Sequence, residues 1–189
     1  MVIIIVTNCM MNVKYNGINS KEHIVQLIDN AVDFMLIDPP YDFDLDEMMW
    51  WHNQFMRVSK NGYIAWSPPE NQWLGDQPSC GRILFWIKPI STKNTSRRYS
   101  RFVEMIFVHG DVKWITGRHW SQYTNVFTDV VDDVRQHPYR KPPSAIRRLI
   151  LNHTEPGDIV LDCFAGSHVV ADVCKQEGRN FFSWEITND

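Results

Sequence analysis

The stretch Phe34-Met35-Leu36-Ile37-Asp38-Pro39-Pro40-Tyr41 runs from four consecutive apolar residues into a carboxylate, two prolines and an aromatic ring. Four apolar residues bounded in this way have the pattern of a strand buried on both faces, as in a largely parallel α/β sheet. Pro39 has no backbone N–H and cannot extend the hydrogen-bond ladder, so the strand is expected over 32–37, ending at Asp38. In open α/β sheets ligands sit beyond the carboxyl ends of the strands, which puts Asp38 and Tyr41 at the rim of a cleft and not in a core.

The residue types at that rim suit one kind of chemistry. An exocyclic amine on a nucleobase is a poor nucleophile, because its lone pair is delocalised into the ring. Asp38 and the Pro39 carbonyl can accept its two N–H bonds and hold the nitrogen toward an electrophilic methyl group, while Tyr41 stacks on a base swung out of its helix. The competing reading is a proline turn that closes a strand, with Asp38 accepting from the following backbone. The tetrapeptide alone weighs equally on both, and the rest of the chain decides.

With 189 residues, 44% hydrophobic and 13% aromatic, the chain can build one packed α/β domain over 1–189. The apolar run Val2 to Val6 is too short to span a bilayer and has neither a basic leader nor a small-residue cleavage site, so the chain is read as soluble, cytoplasmic and without a membrane partner. Cys9, Cys80, Cys163 and Cys174 show neither two-residue spacing nor a partnering histidine pair, which argues against a zinc site or a disulfide framework and for buried thiols. The net charge of −3 hides a segregation. Residues 82–148 hold 13 of the 19 Lys and Arg but only 5 of the 22 acids, a local +8 against −11 elsewhere. Such asymmetry fits a basic face for phosphates, or else a solvated loop region with no ligand.

Taken in order, residues 15–19 read as a turn and 23–28 as a short helix, with 2–6 an edge strand or an extension. The acidic run 42–47 suits a helix N-terminus, and 48–56 continues at helical spacing with Trp50, Trp51 and Phe55 in the core. Asn61-Gly62 turns into a strand at 63–66 that ends at Ser67-Pro68-Pro69, an echo of the first motif that lacks its ring, since Glu70 follows. Strands are expected at 83–89 and 102–108. The loop between them carries Lys93, Arg97, Arg98 and Arg101 with Tyr99, a set able to neutralise phosphates and stack on bases. No periodicity governs 111–136. His137 to Pro143 opens a helix at 144–151, a turn at 155–158 leads to a strand at 159–162, and Phe164-Ala165-Gly166-Ser167 turns into a helix at 169–177 and a strand at 181–184 tipped by Glu185. That last unit has the layout of a nucleotide-binding βαβ, in which glycine lets backbone approach the ligand and an acid about twenty residues later holds the ribose hydroxyls.

Asp38-Pro39-Pro40-Tyr41 resembles the catalytic motif of the nucleic-acid amino-methyltransferases, whose adenine enzymes usually carry Asp-Pro-Pro-Tyr and whose cytosine-N4 enzymes usually carry Ser-Pro-Pro-Tyr. With the βαβ unit placed after it, the chain from about residue 14 to 189 resembles the β class of these S-adenosylmethionine-dependent DNA methyltransferases, in which the catalytic motif precedes the cofactor motif. The resemblance implies a single-domain, Rossmann-like methyltransferase sheet of circularly permuted motif order. It also implies methyl transfer from S-adenosylmethionine to the exocyclic amine of a flipped adenine in double-stranded DNA, the modification half of restriction-modification. Carried over residue by residue, it assigns the base work to Asp38, Pro39, Pro40 and Tyr41. Cofactor contacts fall to His137, Lys141, Asp162, Phe164, Ala165, Gly166, Ser167 and Glu185, and phosphate contacts to Lys93, Arg97, Arg98 and Arg101, with no metal.

Two departures stand out. Members of this class usually have glycine where this chain has His168, and threonine where it has Tyr139. Members that read a defined sequence usually carry a sizeable recognition domain, whereas here only 109–136 is left as a short recognition insert, which implies short or relaxed specificity, or a second subunit or homodimer. Two alternatives therefore stay open: a nucleic-acid-binding partner subunit of the same fold that has lost catalysis, and an enzyme acting on cytosine-N4 or RNA.

Overall fold

The computed structural model describes residues 12–16, 19–67, 74–88, 102–130 and 140–185. Eight strands form one sheet: β1 (Asn12–Asn16), β2 (Phe34–Ile37), β3 (Tyr63–Ser67), β4 (Cys80–Ile87), β5 (Val103–His109), β6 (Val126–Phe127), β7 (Ile159–Asp162) and β8 (Asn180–Glu185). The helices are α1 (Ser20–Ile24), α2 (Leu45–Val58), α3 (Pro143–His153) and α4 (Val169–Gln176). The strand order is β1-β8-β7-β2-β3-β5-β4-β6. Strands β1, β8, β7, β2 and β3 are mutually parallel, and β5 runs antiparallel between β3 and β4.

The run 34–37 is buried on both faces, as expected, and so is β3, whereas β4 is largely exposed, with Ile83 and Ile87 at the surface; the alternation along β2 and β3 feeds two cores. From β2, Met35 and Ile37 join Trp51, Phe55 and Val58 of α2, whereas Phe34 and Leu36 join Ile146, Leu149 and Ile150 of α3 and Val170 and Val173 of α4. β3 divides in the same way, with Tyr63 and Ala65 on the α2 side and Ile64 and Trp66 on the other. A two-residue period inside an unbroken apolar run is what a sheet covered on both faces requires.

Some boundaries differ from the sequence reading for identifiable reasons. The first helix spans Ser20–Ile24 and not 23–28, because the Asn19 side chain accepts the Lys21 and Glu22 backbone N–H groups and so caps it early. α2 starts at Leu45, ahead of 48, because Asp44 Oδ1 accepts the Glu47 N–H at 2.8 Å. β4 starts at Cys80, ahead of 83, with a register shift between Cys80 and Arg82. Within 111–136 the structure holds a 3-10 turn at Trp120–Tyr123 and the short strand β6. The possible edge strand at 2–6, Cys9, Tyr139 and the basic loop lie outside the described residues. Cys163 and Cys174 are buried thiols, while Cys80 is only half-buried. No helix among the described residues is long and apolar enough to cross a membrane.

The topology places the site. β2 and β7 are neighbours and parallel, with Phe34 opposite Val160 and Met35 opposite Leu161, although 120 residues of chain separate them. From β2 the chain leaves through α2 to β3 on one side, and from β7 it leaves through α4 to β8 on the other. The loops beyond these two strands therefore diverge and leave a crevice at the switch point. Residues 115–118 are tied to the end of α3 by Ile115 N–H to the Asn152 carbonyl and Arg118 Nη1 to Asn152 Oδ1, both at 2.8 Å, and the chain then returns along β4, with Val126 opposite Phe85.

Candidate active site

The crevice is a cavity of about 720 Å³ whose wall includes Asp38, Pro39, Pro40, Tyr41, Lys141, Asp162, Phe164, Ala165, Gly166, Ser167 and Glu185. Every described residue of the expected catalytic and cofactor sets is on that wall. His137, Lys93, Arg97, Arg98 and Arg101 lie outside the described residues.

One half of the cavity is formed by Asp38, Pro39, Pro40 and Tyr41, the expected catalytic motif. β2 stops at Ile37, so Asp38 projects past the ladder, and the two prolines that follow have no N–H to spend on its carboxylate. The Asp38 side chain keeps 30% of its surface accessible, and Oδ2 lies 2.9 Å from Lys141 Nζ. Tyr41 O–H donates to Asp38 Oδ1 at 3.4 Å and accepts from Lys141 Nζ at 2.9 Å. Tyr41 is 42% exposed, and Lys141 Nζ lies 5.4 Å from its ring centroid. Burial pushes the Asp38 carboxyl above the usual range, against the pull of the Lys141 ammonium, which favours the anion. Lys141 reaches the site from the segment just before α3 and is only 6% exposed. The resemblance places it at the cofactor's amino-acid end. In the structure its ammonium meets the motif's own side chains, Asp38 and Tyr41.

The other half is the loop after β7. Asp162 is the last residue of that strand, buried, and its Oδ1 accepts the Phe164 N–H at 3.1 Å. Burial, with Asp38 and Glu185 adding like charge, pushes its carboxyl up to about 8. The Ala165 N–H donates to the Trp184 carbonyl at 2.8 Å and the buried Ser20 hydroxyl to the Cys163 carbonyl at 2.9 Å, so the loop is pinned from both sides. Gly166 has φ +47°, and its N–H donates to Glu185 Oε2 at 2.5 Å, which uses one carboxylate oxygen of the residue expected at the ribose. Phe164, Ile146, Val169 and Val170 complete an apolar wall. A cavity of this size, with apolar walls and two acids, suits a nucleoside-sized ligand that carries positive charge.

His168 takes the position where the class usually has glycine, and it does adopt a left-handed conformation, φ +55° and ψ +25°. Its Nδ1 lies 2.8 Å from Ser183 Oγ on β8, so the imidazole turns to the sheet and away from the cavity wall. The substitution keeps the turn at the expense of backbone strain, without filling the pocket. Among the residues on or behind the wall that were not singled out from the sequence as site residues are Trp66, Ile146, Val169 and Val170, which line it, and Glu104 behind Lys141. Glu104 had a legible signal, as the lone acid in the apolar strand Val103-Glu104-Met105-Ile106-Phe107-Val108.

Fold and site together make an open α/β sheet with a crevice at its switch point, walled by the Asp162 to Ser167 loop on one side and by Asp38, Pro39, Pro40 and Tyr41 on the other. A family model described as DNA methylase matches residues 87–189, more than half of the chain. The chain belongs to this N6/N4 DNA methyltransferase family. Among curated proteins it is 42% identical over 60 residues to the DNA adenine methyltransferase YhdJ of Escherichia coli K12, a match covering 32% of this chain but only 20% of that enzyme. It is 26% identical to the type II methyltransferase M.HhaII of Haemophilus parahaemolyticus over an alignment of 210 positions that covers 92% of this chain and 90% of the relative. Among solved structures, M1.HpyAVI in complex with SAM superposes with a TM-score of 0.70 at 24% identity, covering 93% of this chain and 95% of that one. At that identity the superposition speaks for the fold.

Proposed function

We propose that this protein is an S-adenosylmethionine-dependent DNA methyltransferase that acts on the N6 amine of adenine. The observation that carries the reading is the meeting, in one cavity, of the Asp38-Pro39-Pro40-Tyr41 motif with the Asp162 to Ser167 loop, from strands 120 residues apart in the chain. The donor set fits the cofactor: Asp162 and Glu185 face a ligand with an ammonium and a sulfonium, and Phe164, Ile146 and Val170 offer the apolar surface an adenosine needs. S-adenosylmethionine would supply a methyl group bonded to a positively charged sulfur, whose departure as a neutral thioether makes the methyl electrophilic.

The chain's own residues do the rest. Asp38 and the Pro39 carbonyl accept the two N–H bonds of the target amine, which localises the nitrogen lone pair and fixes its direction. The exposed ring of Tyr41 gives an extruded base a stacking surface in place of its neighbours in the duplex. The amine's surplus proton leaves after nitrogen has gained its methyl, with Asp38 Oδ1 or Oδ2 its nearest acceptor. The adenine assignment rests on Asp at position 38 and is supported by the similarity to the E. coli DNA adenine methyltransferase. Lys93, Arg97, Arg98 and Arg101 are proposed to neutralise phosphates, so that binding strength depends on salt and hardly on sequence.

Titration with S-adenosylmethionine in a calorimeter, followed by incubation with mixed-sequence duplex DNA and methyl-labelled cofactor, tests the activity. Heat of binding and label in DNA are expected. No heat and no label would favour the alternative of a catalytically inert partner subunit, for which the turned-away His168 ring leaves little support.

A further inference from the structure

Glu104 is the one acid on β5, and it is 7% exposed. Its Oε1 pairs with Lys88, at the end of β4, and its Oε2 lies 3.2 Å from Lys141 Nζ, off the line of a good hydrogen bond. Lys141 directs its donors at Asp38 Oδ2 and Tyr41 Oη, each at 2.9 Å. The result is a row of alternating charge, Lys88, Glu104, Lys141 and Asp38, that crosses the end of the sheet from β4 to β2. Glu104 and Lys141 are the buried members of the row, and buried charges are costly to leave unpaired, so the two are held beside one another. The groups facing Asp38 are Lys141 from the segment before α3, Tyr41 from its own loop, Glu104 on β5 and Asp162 on β7, and of these Lys141 alone is a cation.

An amine acceptor in this position has two ways to fail. A protonated carboxyl presents a donor to a donor. A carboxylate held tightly by a full ammonium is a weaker and less freely directed acceptor for the target. Dividing one ammonium between two carboxylates avoids both. Resting on the reading of Asp38 as the amine acceptor, we propose that Glu104 is a positioning residue that acts through Lys141, drawing part of the ammonium away from Asp38 and so leaving this carboxylate open to the target amine, while the share of the ammonium that Lys141 keeps on Asp38 holds it ionised.

The two neighbours then move Asp38 in opposite directions. Its titration can be followed by carboxyl-carbon NMR in the protein without DNA, assigned with Asp38→Asn. Lys141→Met is expected to raise the Asp38 midpoint by about one pH unit or more, a tenfold change in its acid constant, and Lys141→Arg to hold it. Glu104→Gln is expected to lower the midpoint and, in the methylation assay, to raise KM for DNA with the acid limb of kcat moving down. Should Lys141→Met fail to fold, the double variant Lys141→Met/Glu104→Gln, which removes both charges together, is compared with Glu104→Gln alone and should titrate higher. Midpoints that stay put, or that move in the same direction for both single variants, overturn the proposal. A wild-type protein that titrates as described but methylates nothing would instead refute the functional reading, since the titration needs no turnover.

Discussion

Replacing Asp38 by alanine is expected to lower methyl transfer on the order of 10²-fold or more while leaving cofactor affinity within about twofold, because Asp38 holds the amine and the β7 loop holds the cofactor. Turnover by that variant within tenfold of the wild type would remove Asp38 from its role. His168 is a different case. Glycine at 168 relieves a left-handed non-glycine backbone, a gain of about 1 kcal/mol, and loses the contact with Ser183 Oγ, a loss of about the same size. His168→Gly is therefore expected to leave both cofactor affinity and the urea midpoint nearly unchanged, and a several-fold change in affinity measured by calorimetry would put the ring back in the pocket. Individual residues were legible where their chemistry is unusual for their setting, as with a carboxylate before two prolines. The direction of the His168 ring was not legible, because it depends on β8 lying beside the turn, and the contact of the Lys141 ammonium with Asp38 was not legible, because it joins residues about a hundred positions apart.

Among the elements, β3 enters the sheet through a turn whose sequence, Asn61-Gly62, announced a turn but not its reason. Gly62 has φ +93°, and a Cβ there would lie 2.1 Å from the His109 carbonyl at the end of β5. Gly62→Ala is expected to destabilise the fold by about 3 kcal/mol or more, since the strained φ and a clash with backbone act together. A thermal midpoint shifted by less than a few degrees would contradict this close approach. Strand positions were readable because four-residue apolar runs bounded by Gly, Pro and Asp have few other uses in a soluble domain. Helix starts were misjudged by up to three residues at α1 and α2, where the capping side chains Asn19 and Asp44 stand outside the apolar periodicity that guided the reading. The place of 110–125 was hidden for a related reason: its polar residues bond to the end of α3, and no repeat in the sequence reports a contact that is met one hydrogen bond at a time.

For the molecule as a whole, buried histidines set the acid limit of stability. Burial holds His109 down to about 3 and His153 down to about 4, whereas both would titrate near 6.5 in the unfolded chain. The unfolded state then takes up protons that the folded state refuses, so their contribution is complete above about pH 6.5 and is lost as pH falls toward 4 and 3, by up to tenfold in the folding equilibrium per pH unit for each. Asp162, raised to about 8, works the other way between its unfolded value and 8, and offsets one of the two histidines in that window. A lower urea midpoint at pH 5 than at pH 7 is expected, with Asp162→Asn steepening the difference, and equal midpoints would contradict it. The overall architecture was readable because the order of motifs, strand by strand, narrows the topologies to one in which β2 and β7 meet. The two halves of the cavity, far apart in sequence, make a claim about a reaction, and its product states that claim most directly. DNA of mixed sequence, incubated with the protein and S-adenosylmethionine and then digested to nucleosides, is expected to yield N6-methyladenine and to lose it with Asp38→Ala; N4-methylcytosine in its place, or no methylated nucleoside at all, would contradict the account.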